Sequence, residues 1–143
     1  MSLTRNEAID EICAIFKAAW DATGYGERVK YDNISKKSLP PDGEIPWARV
    51  TLRHATSAQA SLAGEVGTRR FRRTGVLTVQ VFEPIGSGLS GTTDLPKIVQ
   101  ESYEGVVSTG GVWFRNVRIN EVGPDGDFFQ TNVVIDFEYD EIR

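Results

Sequence analysis

The side chains that could do chemistry in this chain are few and lie far apart along it. His54 is the only histidine and Cys13 the only cysteine among 143 residues. A nucleophilic site would need His54 beside a serine or Cys13, with an acid to orient the ring. Cys13 instead lies on an apolar helical stripe, which is typical of a buried, inert thiol. With one histidine, one cysteine and scattered carboxylates, the sequence predicts neither a catalytic centre nor a metal site.

Two short motifs resemble ligand-binding loops. Gly86, Gly88 and Gly91 fit the G-x-G-x-x-G spacing of dinucleotide-binding loops, between a predicted strand and a predicted helix. No second βαβ unit follows, and the lysine of a phosphate-binding P-loop is missing. Asp125-Gly126-Asp127 is a fragment of a calcium loop without the remaining oxygen ligands, so it is typical of a plain turn. We therefore expect no bound cofactor, and a nucleotide-binding enzyme that uses residues 86–91 remains an alternative.

The charged residues are unevenly distributed along an acidic chain. The net charge of −4 gives no general reason to expect nucleic-acid affinity. Arginines interleaved with an aromatic ring can nevertheless contact phosphates or an acidic partner, or they can simply stay hydrated at the end of a loop. The basic cluster comprises Arg69, Arg70, Phe71, Arg72 and Arg73, and the acidic cluster comprises Asp136, Glu138, Asp140 and Glu141.

Length and composition predict one globular domain over residues 1–143. Hydrophobic residues make up 40% and charged residues 25% of the chain, as in ordinary globular proteins. The single cysteine precludes an internal disulfide, which suits a reducing compartment. Because no apolar run approaches the ~20 residues of a membrane-spanning helix, we expect no membrane contact and a cytoplasmic setting.

The first half of the chain predicts a helix followed by a long hairpin. Thr4 and Glu7 have the spacing of a capping box, and the apolar periodicity that follows predicts a helix over 5–22. Alternating apolar residues predict strands over 47–54 and 71–82, after a short strand near residues 28–32. Between the two longer strands, residues 55–68 are small and polar. They indicate an extended arm that we expect to be mobile in the free subunit.

The second half predicts a helix and a second hairpin. The helical stripe runs towards Gly110-Gly111, where the helix is expected to end. A strand over 112–122 changes its apolar phase, which predicts a β-bulge near Arg115 and Asn116. A turn at Pro124-Asp125-Gly126 leads to a last strand over 129–139. The whole order predicts an α+β fold: a mostly antiparallel mixed sheet, two flanking helices on one face and a long mobile β-hairpin arm.

Several segments are similar to the tail-terminator-like proteins of long-tailed bacteriophages and prophages. A W-x-R-V strand begins at Trp47, and a small-residue arm begins at Gln59 and passes through Leu62. An R-R-x-G-x-L-x-V-Q-V-F strand begins at Arg72, and a glycine-rich loop and a helix follow it. The similarity extends over about residues 31–139, and the chain departs from the pattern at Ala63 and in a longer insert after it. These motifs are structural rather than catalytic.

The resemblance implies a structural protein that has no cofactor and catalyses no reaction. Such a protein caps the tail tube as a ring, expected to be a hexamer, which ends tube polymerisation and offers a surface to the head-completion protein. Its partners would be copies of itself, the tail tube protein and the head-completion protein, and DNA would pass through the ring without specific binding. It would be found in the bacterial cytoplasm during assembly and then in the virion tail.

A ring assembled head to tail needs two different complementary patches on each subunit. We expect the basic arm of one subunit to meet the acidic surface of its neighbour. The alternative from the residues alone is a small nucleic-acid-binding sheet domain that uses the basic cluster. The candidate assembly residues are Arg69, Arg70, Phe71, Arg72, Arg73, Leu62, Asp136, Glu138 and Asp140.

Overall fold

The computed structural model describes residues 3–26, 28–31, 45–61, 64–85 and 94–143. Leu62, the glycine-rich loop at residues 86–91 and most of the expected loop over 33–46 lie outside the described residues. The elements in chain order are α1 (Arg5–Asp21), β1 (Val29–Tyr31), β2 (Trp47–Gln59), β3 (Arg70–Pro84), α2 (Asp94–Tyr103), β4 (Trp113–Asp125) and β5 (Phe128–Ile142).

The first helix begins and ends where its sequence predicts. The Thr4 hydroxyl accepts a hydrogen bond from the Glu7 amide at 3.2 Å, and the Glu7 carboxylate accepts one from the Thr4 amide at 3.1 Å. This reciprocal pair satisfies two amides that the first helical turn leaves without partners. Gly24 has a φ of 88°, so it turns the chain away after α1 at little steric cost. The buried stripe of α1 is Ala8, Ile12, Phe16 and Trp20.

The five strands form one mixed sheet in the order β1-β2-β3-β5-β4. Only the short β1 pairs in parallel, with β2, and the other neighbours are antiparallel. Both helices pack on one face of this sheet, so the expected α+β class and the mostly antiparallel sheet are confirmed. The core between helices and sheet includes Ile12, Phe16, Trp20, Val50, Leu77, Val79, Val81, Val99, Tyr103, Val133, Ile135 and Phe137.

The other face of the sheet, called here the open face, carries polar side chains and a small aromatic cluster. Trp47 stacks on Phe82 with ring centroids 4.1 Å apart, and Phe128 meets Trp47 edge-on at 6.3 Å. The Arg49 guanidinium lies 5.4 Å from the Trp47 ring centre and donates to Gln80 at 3.2 Å. Aromatic packing therefore continues on this face, away from the helices.

The two predicted boundaries that lie furthest from the structure are the ends of β2 and of the second helix. β2 continues five residues past the expected end at His54, because Gln59 still pairs with Phe71 of β3 across an irregularity between His54 and Thr56. Backbone pairing thus orders a segment whose small polar side chains gave no strand signal.

The second helix stops at Tyr103, well before the glycines that were expected to end it. Gly105 follows with a φ of 69°, and Val107 forms an isolated bridge with Trp113. Val106 and Val107 keep the apolar spacing of a helix although they lie outside it. Apolar spacing alone does not indicate where a single glycine turns the chain.

The predicted bulge in β4 is confirmed. The register shifts between Arg115 and Arg118, and Asn116 has a φ of 52°, which asparagine tolerates better than most residues. The hairpin turn is Gly126-Asp127, one residue later than predicted. Within the described residues, neither helix is long and apolar enough to cross a membrane.

Candidate functional site

The arm is a three-stranded extension of the sheet, formed by residues 55–61, 64–74 and 138–142. Gln59 pairs with Phe71, and Arg70 pairs with Ile142 of β5. Arg69 and Arg143 exchange backbone hydrogen bonds of 3.2 and 2.9 Å beyond the last paired row. The sequence predicted a two-stranded hairpin here. β5 adds a third strand, because it is long enough to follow β3 to its start.

Among the described residues at the tip of the arm, Val66 is strongly exposed to solvent. The Thr68 amide and hydroxyl both donate to the Glu65 carbonyl, at 3.0 and 2.7 Å, and the Arg69 side chain donates to the Gly64 carbonyl at 3.0 Å. These bonds shape a turn in which Val66 is 84% exposed, more than any other large apolar side chain in the described residues. The sequence signal for this position is a valine in a small, polar segment whose other large apolar residue is Leu62.

The basic and acidic clusters are partners within one chain. On the open face of the arm, Arg72 contacts Glu138 at 2.8 Å and Asp140 at 3.2 Å. Glu138 also pairs with Arg115 of β4, so one carboxylate lies between two guanidinium groups. Arg70 is 3.7 Å from Asp140. The antiparallel register places these side chains opposite or diagonal to one another, at the separations where cross-strand charge pairs form.

The remaining pairs complete this network on both faces. Arg118 lies 3.4 Å from Asp136 on the open face. On the helix-side face, Arg73 contacts Glu141 at 3.0 Å, and its guanidinium lies 5.2 Å from the centre of the Phe71 ring. The sequence suggested separate patches because 60 or more positions lie between the clusters. The pairing of β3 with β5 removes that separation, so most of these charges are compensated inside the subunit.

A second exposed apolar group lies where β4 begins. Trp113 is 53% exposed and Val107 is 58% exposed, and they bridge to each other through their backbones. Together with Gly110 and Gly111 they border a shallow cavity of about 270 Å³ that also touches Arg72 and Glu138. An exposed tryptophan rimmed by charged groups is the composition that dominates protein interfaces. Trp113 was assigned only to a strand in the sequence, since alternation does not indicate which large residue stays uncovered.

His54 and Cys13 do not form a nucleophilic pair. The His54 Nε2 atom shares a hydrogen bond of 2.8 Å with the Tyr139 hydroxyl, and its Nδ1 atom is buried with no partner among the described residues. Burial, followed by the nearby charges of Arg5 and Arg73, lowers the pKa of His54. Burial and then Asp10 raise the pKa of the Cys13 thiol, which keeps it protonated and unreactive. Both residues line a groove of about 930 Å³ between α1 and β2.

The candidate metal positions are also dispersed in space. Within the described residues, no three histidine, cysteine, aspartate or glutamate side chains come together as a metal site. Asp125 and Asp127 flank the glycine of the β4–β5 turn. The interpretation of that run as a turn is therefore confirmed.

Glu83 is a buried carboxyl group that the sequence did not single out. It is 5% exposed, and its Oε1 atom has no partner among the described residues. Burial, helped by the charge of Asp94, raises its pKa to about 7. Because Glu83 directly precedes Pro84 at the end of a strand, its sequence context suggested only a strand end.

Comparison with known proteins identifies the fold and no more. No family model matches the sequence, and no curated protein matches it. A solved structure whose name describes no function is similar, with a TM-score of 0.58 and 20% sequence identity. The similarity covers 90% of this chain and 93% of that chain. At this identity it supports the α+β architecture across nearly the whole length.

Proposed function

We propose that this chain is a structural protein of a bacteriophage or prophage tail, which caps the tail tube as a ring and provides the surface for head joining. The similarity of the strand and arm motifs to tail-terminator-like proteins is the starting point. The observation that carries the proposal is the pair of exposed apolar sites, Val66 on the arm and Trp113 at the start of β4. They are different surfaces of one subunit, as a head-to-tail ring requires.

The arm is suited to assembly because its strands hold the tip in place. Three paired strands and a hydrogen-bonded turn fix Val66, so less entropy is lost when a neighbour binds it. Complete burial of a valine is worth roughly 1.5–3 kcal/mol. The internal ion pairs of the arm keep it rigid, whereas the apolar tip supplies contact energy.

This division of roles changes which residues we assign to the interface. The basic and acidic clusters were expected to attract one another across subunits. Because Arg72 and Arg73 already pair with Glu138 and Glu141, they contribute mainly to the shape of the arm. Val66 and Trp113 therefore replace them as the leading assembly residues.

The decisive experiment measures solution mass over a concentration series, with and without isolated tail tubes, followed by electron microscopy of any assembly. We expect rings, or capped tube ends, with the unchanged protein. Val66→Asp should weaken assembly at least tenfold, since it places a charge in an apolar contact. Val122→Asp is the matched control, because Val122 is also exposed but lies towards the other end of β4.

Two outcomes would contradict the proposal. One is a protein that stays monomeric at all concentrations and leaves tube ends uncapped. The other is equal assembly by the Val66 and Val122 variants, which would remove the arm tip from the interface.

Nucleic-acid binding by the sheet is the second candidate function. It requires arginines available to phosphates, and the carboxylates beside Arg72 and Arg73 compete for them. Steeply salt-dependent binding to DNA would favour this candidate over the ring.

A further inference from the structure

A separate cavity lies where the sheet extends beyond the start of α1. The helix begins at Arg5, while β2, β3 and β5 continue into the arm on the same side. Between them is a space of about 400 Å³, lined on its charged side by Arg5, Arg73, Glu141 and Arg143. The cavity contains neither Val66 nor Trp113, although Ser57, Arg73 and Arg143 also line a neighbouring space that Val66 borders.

The cavity has more positive than negative side chains, although the chain as a whole is acidic. Three arginines line it against the single carboxylate of Glu141, which Arg73 already binds at 3.0 Å. The guanidinium groups of Arg5 and Arg143 form no ion pair with any described residue. Two guanidinium groups that pair with no described carboxylate, on one cavity, concentrate positive potential there.

Polar groups near these cations could complete a ligand shell. His54 lines the cavity, and its buried Nδ1 atom lacks a hydrogen-bond partner among the described residues. Ser57 also lines the cavity and accepts a hydrogen bond from Arg73. A buried polar atom without a partner is unfavourable, so a ligand that reaches Nδ1 would recover part of that free energy.

We propose that this cavity binds a single oxyanion, either a carboxylate or a phosphate monoester, through the guanidinium groups of Arg5 and Arg143 with Arg73 at its floor. Guanidinium groups suit both anions because their N–H groups match two oxygens at once. A nucleic-acid strand fits less well, since it needs a row of available cations. The adjacent Arg70 and Arg72 are already close to carboxylates.

The test is a titration of the isotope-labelled chain with sodium phosphate and, separately, with sodium acetate, at an ionic strength held constant with sodium chloride. We expect saturable chemical-shift changes at the backbone amides of His54 and Arg73. The double variant Arg5→Gln, Arg143→Gln should bind at least tenfold more weakly, because it removes the two charged groups that would donate hydrogen bonds to the anion. Lys97→Gln is the control, since it removes a cation from α2 without touching the cavity.

The two titrations also identify the ligand class. Saturation by phosphate alone assigns a phosphate monoester, and saturation by acetate alone assigns a carboxylate. Shifts that grow linearly with either salt, or an unchanged affinity in the double variant, would overturn the proposal. A short oligonucleotide that binds where phosphate and acetate do not would also overturn it, in favour of a polyanion surface.

Discussion

Strands β2, β3 and β5 are stabilised in different ways in two parts of their length. In the body of the sheet, under the helices, their inward side chains are fully buried, as at Val79, Val133 and Ile135. In the arm the same face carries Phe71, Arg73 and Glu141, which are partly exposed. Backbone pairing of β3 with β5 continues without a break between the two parts, and pairing of β2 with β3 resumes after the irregularity between His54 and Thr56. A sheet can therefore extend past its core when cross-strand charge pairs replace apolar burial.

The junction between the two parts lies at Gly75. A Cβ atom there would come within 2.3 Å of the Arg53 carbonyl and 2.4 Å of the Phe137 ring. Only glycine lets the strand pass this close to both neighbours. Towards the core from this point apolar burial dominates, and towards the tip cross-strand ion pairs dominate, of which the exposed ones are worth about 0–1 kcal/mol each. We therefore expect the arm to open locally at a lower free energy than the body.

The largest expected effect comes from replacing one phenylalanine by alanine in the body and one in the arm. Phe137 is 1% exposed in the body, so Phe137→Ala should lower the free energy of unfolding by about 3–5 kcal/mol. Phe71→Ala in the arm should cost about 1 kcal/mol or less, because the ring is already partly hydrated. Urea denaturation of both variants measures the difference. Equal losses would mean that the arm belongs to the same cooperative core.

A smaller effect is expected at Glu83, where the core includes a carboxyl group. Because its folded-state pKa is raised to about 7, the protonated form is favoured by folding. This stabilisation is complete below the unfolded pKa near 4.5 and is lost as pH rises through 7. Glu83→Gln should therefore match the unchanged protein at pH 4 and be more stable by about 2–3 kcal/mol at pH 8.

Thermal or urea unfolding of both proteins between pH 4 and pH 8 tests the Glu83 prediction. Glu121→Gln is a suitable control, because it removes a carboxylate that is exposed on β4 rather than buried. A constant stability difference across the pH range would contradict the assigned cause, burial of the charged form.

The smallest expected effect is local to the arm. Glu138 accepts contacts from Arg72 and Arg115, so Glu138→Gln should remove the carboxylate that Arg115 contacts and leave Arg72 with Asp140 alone. We expect the arm to lose about 1 kcal/mol, which is about a fivefold faster amide exchange over residues 70–74. Amides in α1 should be nearly unchanged. Slowing of arm exchange by the substitution would show that these pairs do not stabilise it.

Added salt tests the difference between the arm and the body without a mutation. Ion pairs near the surface weaken as the Debye length falls from about 10 Å at 0.1 M salt to about 3 Å at 1 M. Buried apolar contacts have no such dependence, so exchange should speed up in the arm and not in the body. The sequence predicted that residues 55–68 are mobile in the free subunit, whereas the paired strands favour an ordered arm. The same exchange measurement distinguishes the two.

Much of the body could be predicted from local patterns. The capping box of Thr4 and Glu7, the α1 stripe and the bulge near Asn116 each follow from rules that involve only neighbouring residues. The end of α2 could not, because Val106 and Val107 keep a helical spacing after the glycine turn. The arm strands were likewise missed beyond His54, where the stabilising partners are backbone groups of other strands.

The candidate site depended even more on long-range pairing. The sequence contains a basic and an acidic cluster. Because a head-to-tail ring needs two complementary patches on each subunit, we expected the clusters to meet between subunits. The clusters pair within one chain because β3 and β5 are neighbours in the sheet, which places Arg72 opposite Asp140. Val66 and Trp113 are ordinary apolar residues in the sequence, since exposure is a property of what surrounds a side chain.

By itself, the sequence determined the α+β class, the helix faces and most strand alternation, because these depend on periodicities of two and 3.6 residues that are local to each segment. The tertiary structure alone decided which charges pair, where the sheet extends past its core and which cations line the cavity beyond α1. Those features join residues about 70 or more positions apart, such as Arg73 and Glu141 or Arg5 and Arg143. Their contacts follow from strand order and register, which no local pattern encodes.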